Sequence, residues 1–240
     1  MTLGLLAILF GLSWLAATLS GAAGFGGALL LLPVLTHILG VKAAVPVLAI
    51  MQLLGNLSRV WFGRTQIASK PAGLFLLGAI PLSIVGSALF TALPTALMTR
   101  GIGVLLLLIV VAQQFGLTRF TTTSWGLLVG GGATGFLSGV AGSAGPLGAA
   151  IFLGLDLPAV AYVASEAMTA AAMHLTKMVV YQRYALIGLR ELQYGLFLGV
   201  AMILGSWTGK RLIEHLPKAT FRRVVTLLLV LSALQLIVFA

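Results

Sequence analysis

Ten apolar pieces follow one another along the chain, five in each half, and in both halves a glycine-rich stretch parts the first two. In the first half they fall at 3–19, 25–39, 43–62, 72–90 and 97–115; in the second at 125–137, 145–155, 159–181, 192–209 and 221–239. None sustains a period-2 alternation and several approach the ~20 residues a helix needs to cross a bilayer, so the pattern predicts membrane helices rather than a barrel. The stretches SGAAGFGG at 20–27 and SGVAGSAG at 138–145 have almost no apolar area to bury, so they serve through their backbone. In lipid an unpaired N–H or C=O costs several kcal/mol unless protein or a water-filled cavity receives it. One continuous helix through the first two pieces would run about 50 Å and overshoot a ~30 Å hydrocarbon layer. The pattern therefore predicts a short helix pair bent at the glycines, either re-entrant or spanning.

The halves are copies. An offset of 118 residues carries Ser20-Gly21 onto Ser138-Gly139, Gly24 onto Gly142, Gly27 onto Gly145, and Asn56-Leu57-Ser58-Arg59 onto His174-Leu175-Thr176-Lys177. With a few residues inserted, Gly86-Ser87 falls on Gly205-Ser206, and Leu93-Pro94 with Arg100 on Leu216-Pro217 with Arg223. This divides the chain into repeats at 1–117 and 118–240, joined near 117–124. If the leading pair enters and leaves on one side, five pieces per repeat turn the second copy upside down; one broken crossing instead makes the repeats parallel. Charge favours the inverted arrangement. It gathers Arg64, Lys70, Arg119, Lys210, Arg211, Lys218, Arg222 and Arg223 on one face and Lys42, Arg100, Arg183 and Arg190 on the other. The expected fold is an all-α integral membrane protein, a polytopic bundle of two inverted-topology repeats. Each repeat is a glycine-broken short helix pair followed by three transmembrane helices, with both termini outside. The piece at 3–19 could pass for a signal peptide, but no Lys or Arg precedes it and it has a counterpart inside the chain, so it is read as mature structure.

Composition agrees: 60% of the residues are hydrophobic, 8% are charged and the mean hydropathy is +1.15. A net charge of +10 invites a nucleic-acid reading. The basic residues are instead scattered over helix ends and short loops, as a bilayer partner requires, so no nucleic acid is expected. There is no cysteine and hence no disulfide or thiolate metal site. No nucleophile elbow, Walker motif or cluster of metal ligands occurs, and His37, His174 and His215 lie far apart. The chain is read as no enzyme, with no cofactor and no metal.

Candidate chemistry collects at two places. Interrupted helices that meet near the midplane are where secondary transporters bind, and helix N-termini there favour anions. Gly24, Phe25, Gly26 and Gly27, with Gly142, Ser143, Ala144 and Gly145, each precede an apolar helical piece and become candidate anion-binding backbone. The plainer reading makes these glycines packing devices. On the third piece, Gln52, Asn56 and Arg59 are spaced i, i+4, i+7 on one stripe, and His174 and Lys177 occupy the counterpart helix. Asn56 and His174 are expected deeper, as hydrogen-bonding groups; Arg59 and Lys177 are expected near a cavity mouth, unless they snorkel to headgroups. Glu166 replaces Leu48 of the first repeat and breaks the symmetry. With His174 it is a candidate for a coupling proton, or else one half of a buried pair. Gly195 and Gly199, then Gly205 and Gly209, mark helix-packing faces, and Trp61, Trp125 and Trp207 fall near expected helix ends.

The doubled openings, GAAGFGGALLLLPVL and SGVAGSAGPLGAAIFLGL, each followed by a helix ending in a polar and basic cluster, resemble the sulfite exporter TauE/SafE family over essentially the whole chain. The resemblance implies a multi-pass protein of the bacterial plasma (inner) membrane that moves a small sulfur-containing anion such as sulfite or an organosulfonate. The expected function is a secondary transporter, an exporter by this resemblance, working by alternating access around a central site; homo-oligomers are a possibility. The alternatives are a proton-coupled carrier of carboxylates or other small metabolites, or a membrane assembly protein that transports nothing. One departure is that Pro33 maps onto Ile151 while the second opening carries Pro146, so the halves need not contribute equally.

Overall fold

The computed structural model describes residues 2–23, 27–90 and 123–214, with 219–220, 223, 226–227, 230 and 234 beyond them. Every regular element among them is helical. The first half supplies α1 (Leu3–Ala23), α2 (Ala28–Leu39), α3 (Val41–Gly63), a 3-10 turn at Arg64–Gln66 and α4 (Ser69–Leu89); the second supplies α5 (Ser124–Ala141), α6 (Gly145–Leu153), α7 (Ala159–Arg183) and α8 (Leu189–Glu214). The expected pieces at 97–115 and 221–239 fall wholly or largely outside the described residues. Three of these helices, at Val41–Gln66, Ser69–Leu89 and Leu189–Arg211, are long and apolar enough to cross a membrane. With 12 and 9 residues, α2 and α6 reach only about 18 and 14 Å and stop short of that thickness.

Both leading helices outrun the expectation. Instead of ending at 19 and 137, α1 and α5 continue four residues further, so the first half of each glycine-rich stretch is helical. Packing is the reason. A Cβ at Gly139 would fall 2.5 Å from the Ser87 nitrogen, and its counterpart Gly21 lies against Gly205 and Ser206. The chain turns just afterwards, where Gly27 and Gly142 hold φ of 71° and 78°, left-handed values that glycine adopts without a Cβ clash.

Close contacts fix the helix directions. Phe75, Ala79 and Ser83 of α4 meet Gly131, Gly135 and Gly139 of α5 in the same order, so the two helices run parallel. Ile50 and Leu54 of α3 meet Gly195 and Gly199 of α8, also in parallel, and Ala17 and Thr18 of α1 meet Gly205 and Thr208. By contrast Gly63, at the end of α3, packs on Val160 and Ala164 near the start of α7, and Arg59 faces Glu166. At the start of α4 the Ala68 amide donates to Ser165 near the start of α7, and at its end Phe90 meets Tyr181 near the end of α7, so α4 and α7 run parallel; α1, α3 and α8 thus point one way and α4, α5 and α7 the other.

Two apolar clusters result. One gathers Leu9, Leu31, Leu48, Met51, Leu198 and Met202 from α1, α2, α3 and α8; the other gathers Phe75, Leu127, Phe152 and Tyr162 from α4, α5, α6 and α7. The first also takes Tyr181 from the end of α7 and Phe90 from the end of α4, and the second joins three helices of the second half to α4, so the halves interleave. Trp61, Trp125 and Trp207 are exposed, and the guanidinium groups of Arg64 and Arg211 lie 4.4 and 3.8 Å over Trp61 and Trp207.

Candidate functional site

The polar stripe of α3 faces inward. Gln52, Asn56 and Arg59 are buried, at 1%, 1% and 4% exposure, because i, i+4, i+7 spacing sets them on the side of α3 that the other helices cover. A buried polar group costs stability unless it is paired. Arg59 Nη2 donates to Asn56 Oδ1 one turn earlier, while Nη1 stands 4.0 Å from Glu166 Oε2 on α7. Neither Nη1 nor Oε2 has a hydrogen-bond partner, so the two charges meet without a bond between them. Gly148 of α6 lies beside the Glu166 carboxyl, bringing the short helix of the second half to the same place.

On α7, Lys177 is fully buried. Its Nζ donates to Ser138 Oγ at 2.9 Å and to the Gly142 carbonyl at 3.0 Å, with the Ser138 carbonyl at 3.5 Å. A cation among the last carbonyls of α5 complements the negative end of that helix. Lys177 therefore holds the second glycine opening from its carbonyl side and reaches no headgroup; Arg59, buried and turned to Asn56 and Glu166, reaches none either. One turn on, Tyr181 donates to the Gly139 carbonyl at 3.1 Å. His174 is buried with Nδ1 unpartnered, and the charges of both Lys177 and Arg59 act on it. The crossing of α3 and α7 thus brings together Asn56, Arg59 and Glu166, with His174 and Lys177 about two and three turns further along α7 from Glu166.

The openings are less complete. Gly24, Phe25 and Gly26 lie outside the described residues. Gly27 precedes α2, and its carbonyl accepts from the Leu30 and Leu31 amides. In the second opening Gly142, Ser143 and Ala144 are buried and Gly145 is half-buried. Pro146 has no N–H, and the Leu147 and Gly148 amides bond to the Ala144 carbonyl. The donors that the start of α6 can turn toward an anion are therefore the amides of Ser143, Ala144 and Gly145.

Three neighbours of these residues were not singled out as site residues by sequence pattern. Ser206 and Lys210 of α8 line a cavity together with Gly21, Arg59 and Gly63. The signal for Ser206 was present, since Gly205-Ser206 repeats Gly86-Ser87, but it marked the repeat and not a site. Ser138 is the third: its role as the Lys177 partner depends on a contact 39 residues away in sequence. Among the described residues no group of three His, Cys, Asp or Glu side chains could hold a metal ion.

A family profile described as sulfite exporter TauE/SafE matches residues 9–236. No curated protein and no solved structure gives a match.

Proposed function

The chain belongs to the sulfite exporter TauE/SafE family, and from that premise we propose that it is a secondary transporter, working as an exporter, for a small sulfur-containing anion such as sulfite or an organosulfonate in a bacterial plasma membrane. The observation that carries this reading is the charge inventory of α3 and α7. Arg59 and Lys177 are two formal positive charges buried along these helices and Glu166 is one negative charge; Arg59 faces Glu166 and bonds Asn56, while Lys177 stands about three turns further along α7, one turn past His174. Excess charge in a medium of low dielectric is costly, and one small anion offsets it. Arg59 is the electrostatic anchor; Asn56, Gln52 and His174 supply hydrogen bonds; the amides of 24–27 and 142–145 add donors. Lys177 keeps the second opening in shape, and Glu166 or His174 carries a coupling proton.

Helix direction supports the inverted repeats. Matching elements oppose one another throughout: α1 against α5, α3 against α7 and α4 against α8. A two-fold axis that exchanges antiparallel α3 and α7 has to lie across the helices, hence in the membrane plane, which is the plan of many secondary transporters. Contacts pair accordingly, with α1 on α8 as α5 is on α4, and α3 on α8 as α7 is on α4. Alternating access then follows from rocking the bundle of α1, α2, α3 and α8 against that of α4, α5, α6 and α7.

Reconstituted into liposomes, the protein is expected to move sulfite, thiosulfate or sulfoacetate saturably and to leave lactate and succinate behind. Carboxylate flux without flux of any sulfur anion would overturn the reading.

A further inference from the structure

The 118-residue offset that relates the halves sets Gly63, at the end of α3, against Tyr181, near the end of α7. In the second half the Tyr181 side chain is fully buried; its hydroxyl meets the Gly139 carbonyl at 3.1 Å and its ring centroid lies 5.5 Å from that of Phe90. It fills the space between α7 and α5. In the first half the equivalent line runs from Gly63 to Gly21, the counterpart of Gly139; both glycines line the cavity, whose wall also carries Phe62, Val160 and Val163.

The charged counterparts differ in the same sense. Lys177, beside Tyr181, is bonded to Ser138 and Gly142. Its equivalent, Arg59, lines the unfilled cavity, is 4% exposed, and has an Nη1 without a hydrogen-bond partner. Ser206 joins the wall, and Lys210, half-buried with its Nζ 5.5 Å from the Phe62 ring centroid, stands at the rim. The fold offers one position twice, left as a small cavity beside the arginine and filled by a tyrosine beside the lysine.

Resting on the reading of the protein as a sulfur-oxyanion transporter, we propose that the cavity between Gly21 and Gly63 is the first binding position for the anion, and that Tyr181 is the stopper closing the equivalent position toward the opposite face. A pyramidal or tetrahedral oxyanion there accepts from Arg59 Nη1, from the Lys210 ammonium and from the Ser206 hydroxyl once that turns from the Gly55 carbonyl, to which it now donates. At about 20 Å³ the cavity has room for one water in this conformation. The anion enters as the two bundles part.

The chain contains no cysteine, so single cysteines at the equivalent Ser206 and Ser87 report on both positions. In oriented membrane vesicles without added anion, a small impermeant maleimide is expected to label Ser206→Cys from one face. Ser87→Cys reacts at least ten-fold more slowly from either face. Adding Tyr181→Ala brings Ser87→Cys to the Ser206→Cys rate from the opposite face, whereas Tyr181→Phe, which keeps the ring, leaves it slow. In titrations of detergent-purified protein, Lys210→Met weakens sulfite binding at least ten-fold. Equal labelling of the two cysteines, no gain at Ser87→Cys from Tyr181→Ala, or unchanged sulfite affinity in Lys210→Met overturns the proposal. A parent protein that binds none of sulfite, thiosulfate and sulfoacetate instead defeats the transporter reading, while the labelling pattern still decides the fate of Tyr181.

Discussion

Arg59 Nη1 and Glu166 Oε2 stand 4.0 Å apart across the crossing of α3 and α7, both buried and neither hydrogen-bonded. Breaking a buried pair from one side leaves an uncompensated charge, at a cost of about 3–5 kcal/mol. Arg59→Met and Glu166→Leu should each lower the melting temperature of the detergent-purified protein, and the double variant should lose less than the two losses combined. Strict additivity would show that the two charges do not sense each other.

The same pair predicts a coupling defect. An anion that takes the Arg59 guanidinium leaves Glu166 without its counter-charge, so the carboxyl then gains a proton. Glu166→Gln, nearly the same shape but unable to titrate, should transport at a rate insensitive to an imposed pH gradient, while the parent responds to it. The assay needs an organosulfonate, whose charge is constant across neutral pH, because sulfite itself titrates there. A gradient response equal in both proteins removes Glu166 from coupling.

Asn56 and His174 are the polar contacts whose loss should alter affinity more than folding. Asn56→Ala releases Arg59 Nη2 from its present partner, and His174→Ala removes a ring whose Nδ1 bonds nothing in this conformation. Each should retain the elution profile and membrane localisation of the parent and bind sulfite at least ten-fold more weakly. Parental affinity in both would move the site elsewhere.

How much of this could be read beforehand follows the range of the interactions. Gln52, Asn56 and Arg59 were legible as one buried stripe because helical spacing is local and charge in lipid is rarely without purpose. Glu166 was legible as an oddity, but its partner was not: Arg59 lies in the other half, and only packing brings the two together. The helix breaks were misplaced by four residues for a related reason. Gly21 and Gly139 look like breakers in isolation and are tolerated inside α1 and α5 because Gly205-Ser206 and Gly86-Ser87 pack there. Lys177 shows the limit most clearly, since spacing placed it near a cavity mouth while its bonds go to Ser138 and Gly142.

The parallel packing of α4 on α5 rests on absent side chains. A Cβ at Gly135 would fall 2.8 Å from the carbonyl carbon and Cα of Ala79, which are backbone and cannot move aside, whereas one at Gly73 or Gly11 meets nothing within 4 Å. Gly135→Ala should therefore drive the helices apart and cost about 1–3 kcal/mol or more. In Gly73→Ala helix propensity alone acts, for a gain of up to about 1 kcal/mol. Thermal unfolding of the three proteins side by side checks this, and equal melting temperatures would contradict the tight contact.

Lys177 separates stability from affinity. Its ammonium donates to the Gly142 carbonyl and to Ser138 Oγ, at the negative end of α5 and beside a glycine held at φ 78°. Lys177→Met keeps most of the apolar stem and removes the charge. The orphaned buried oxygens then cost about 1–3 kcal/mol, and up to ~2 kcal/mol of favourable interaction with the helix end is lost as well. The expected result is a clear fall in melting temperature with sulfite affinity within about three-fold of the parent, since the bonds lost hold the opening and not the anion. Arg59→Met should lose both, its melting temperature falling as argued above and its binding dropping more than ten-fold. If Lys177→Met instead keeps its melting temperature and loses binding, the lysine contacts the anion directly and the two halves share the load more evenly than the small cavity and its filled counterpart imply.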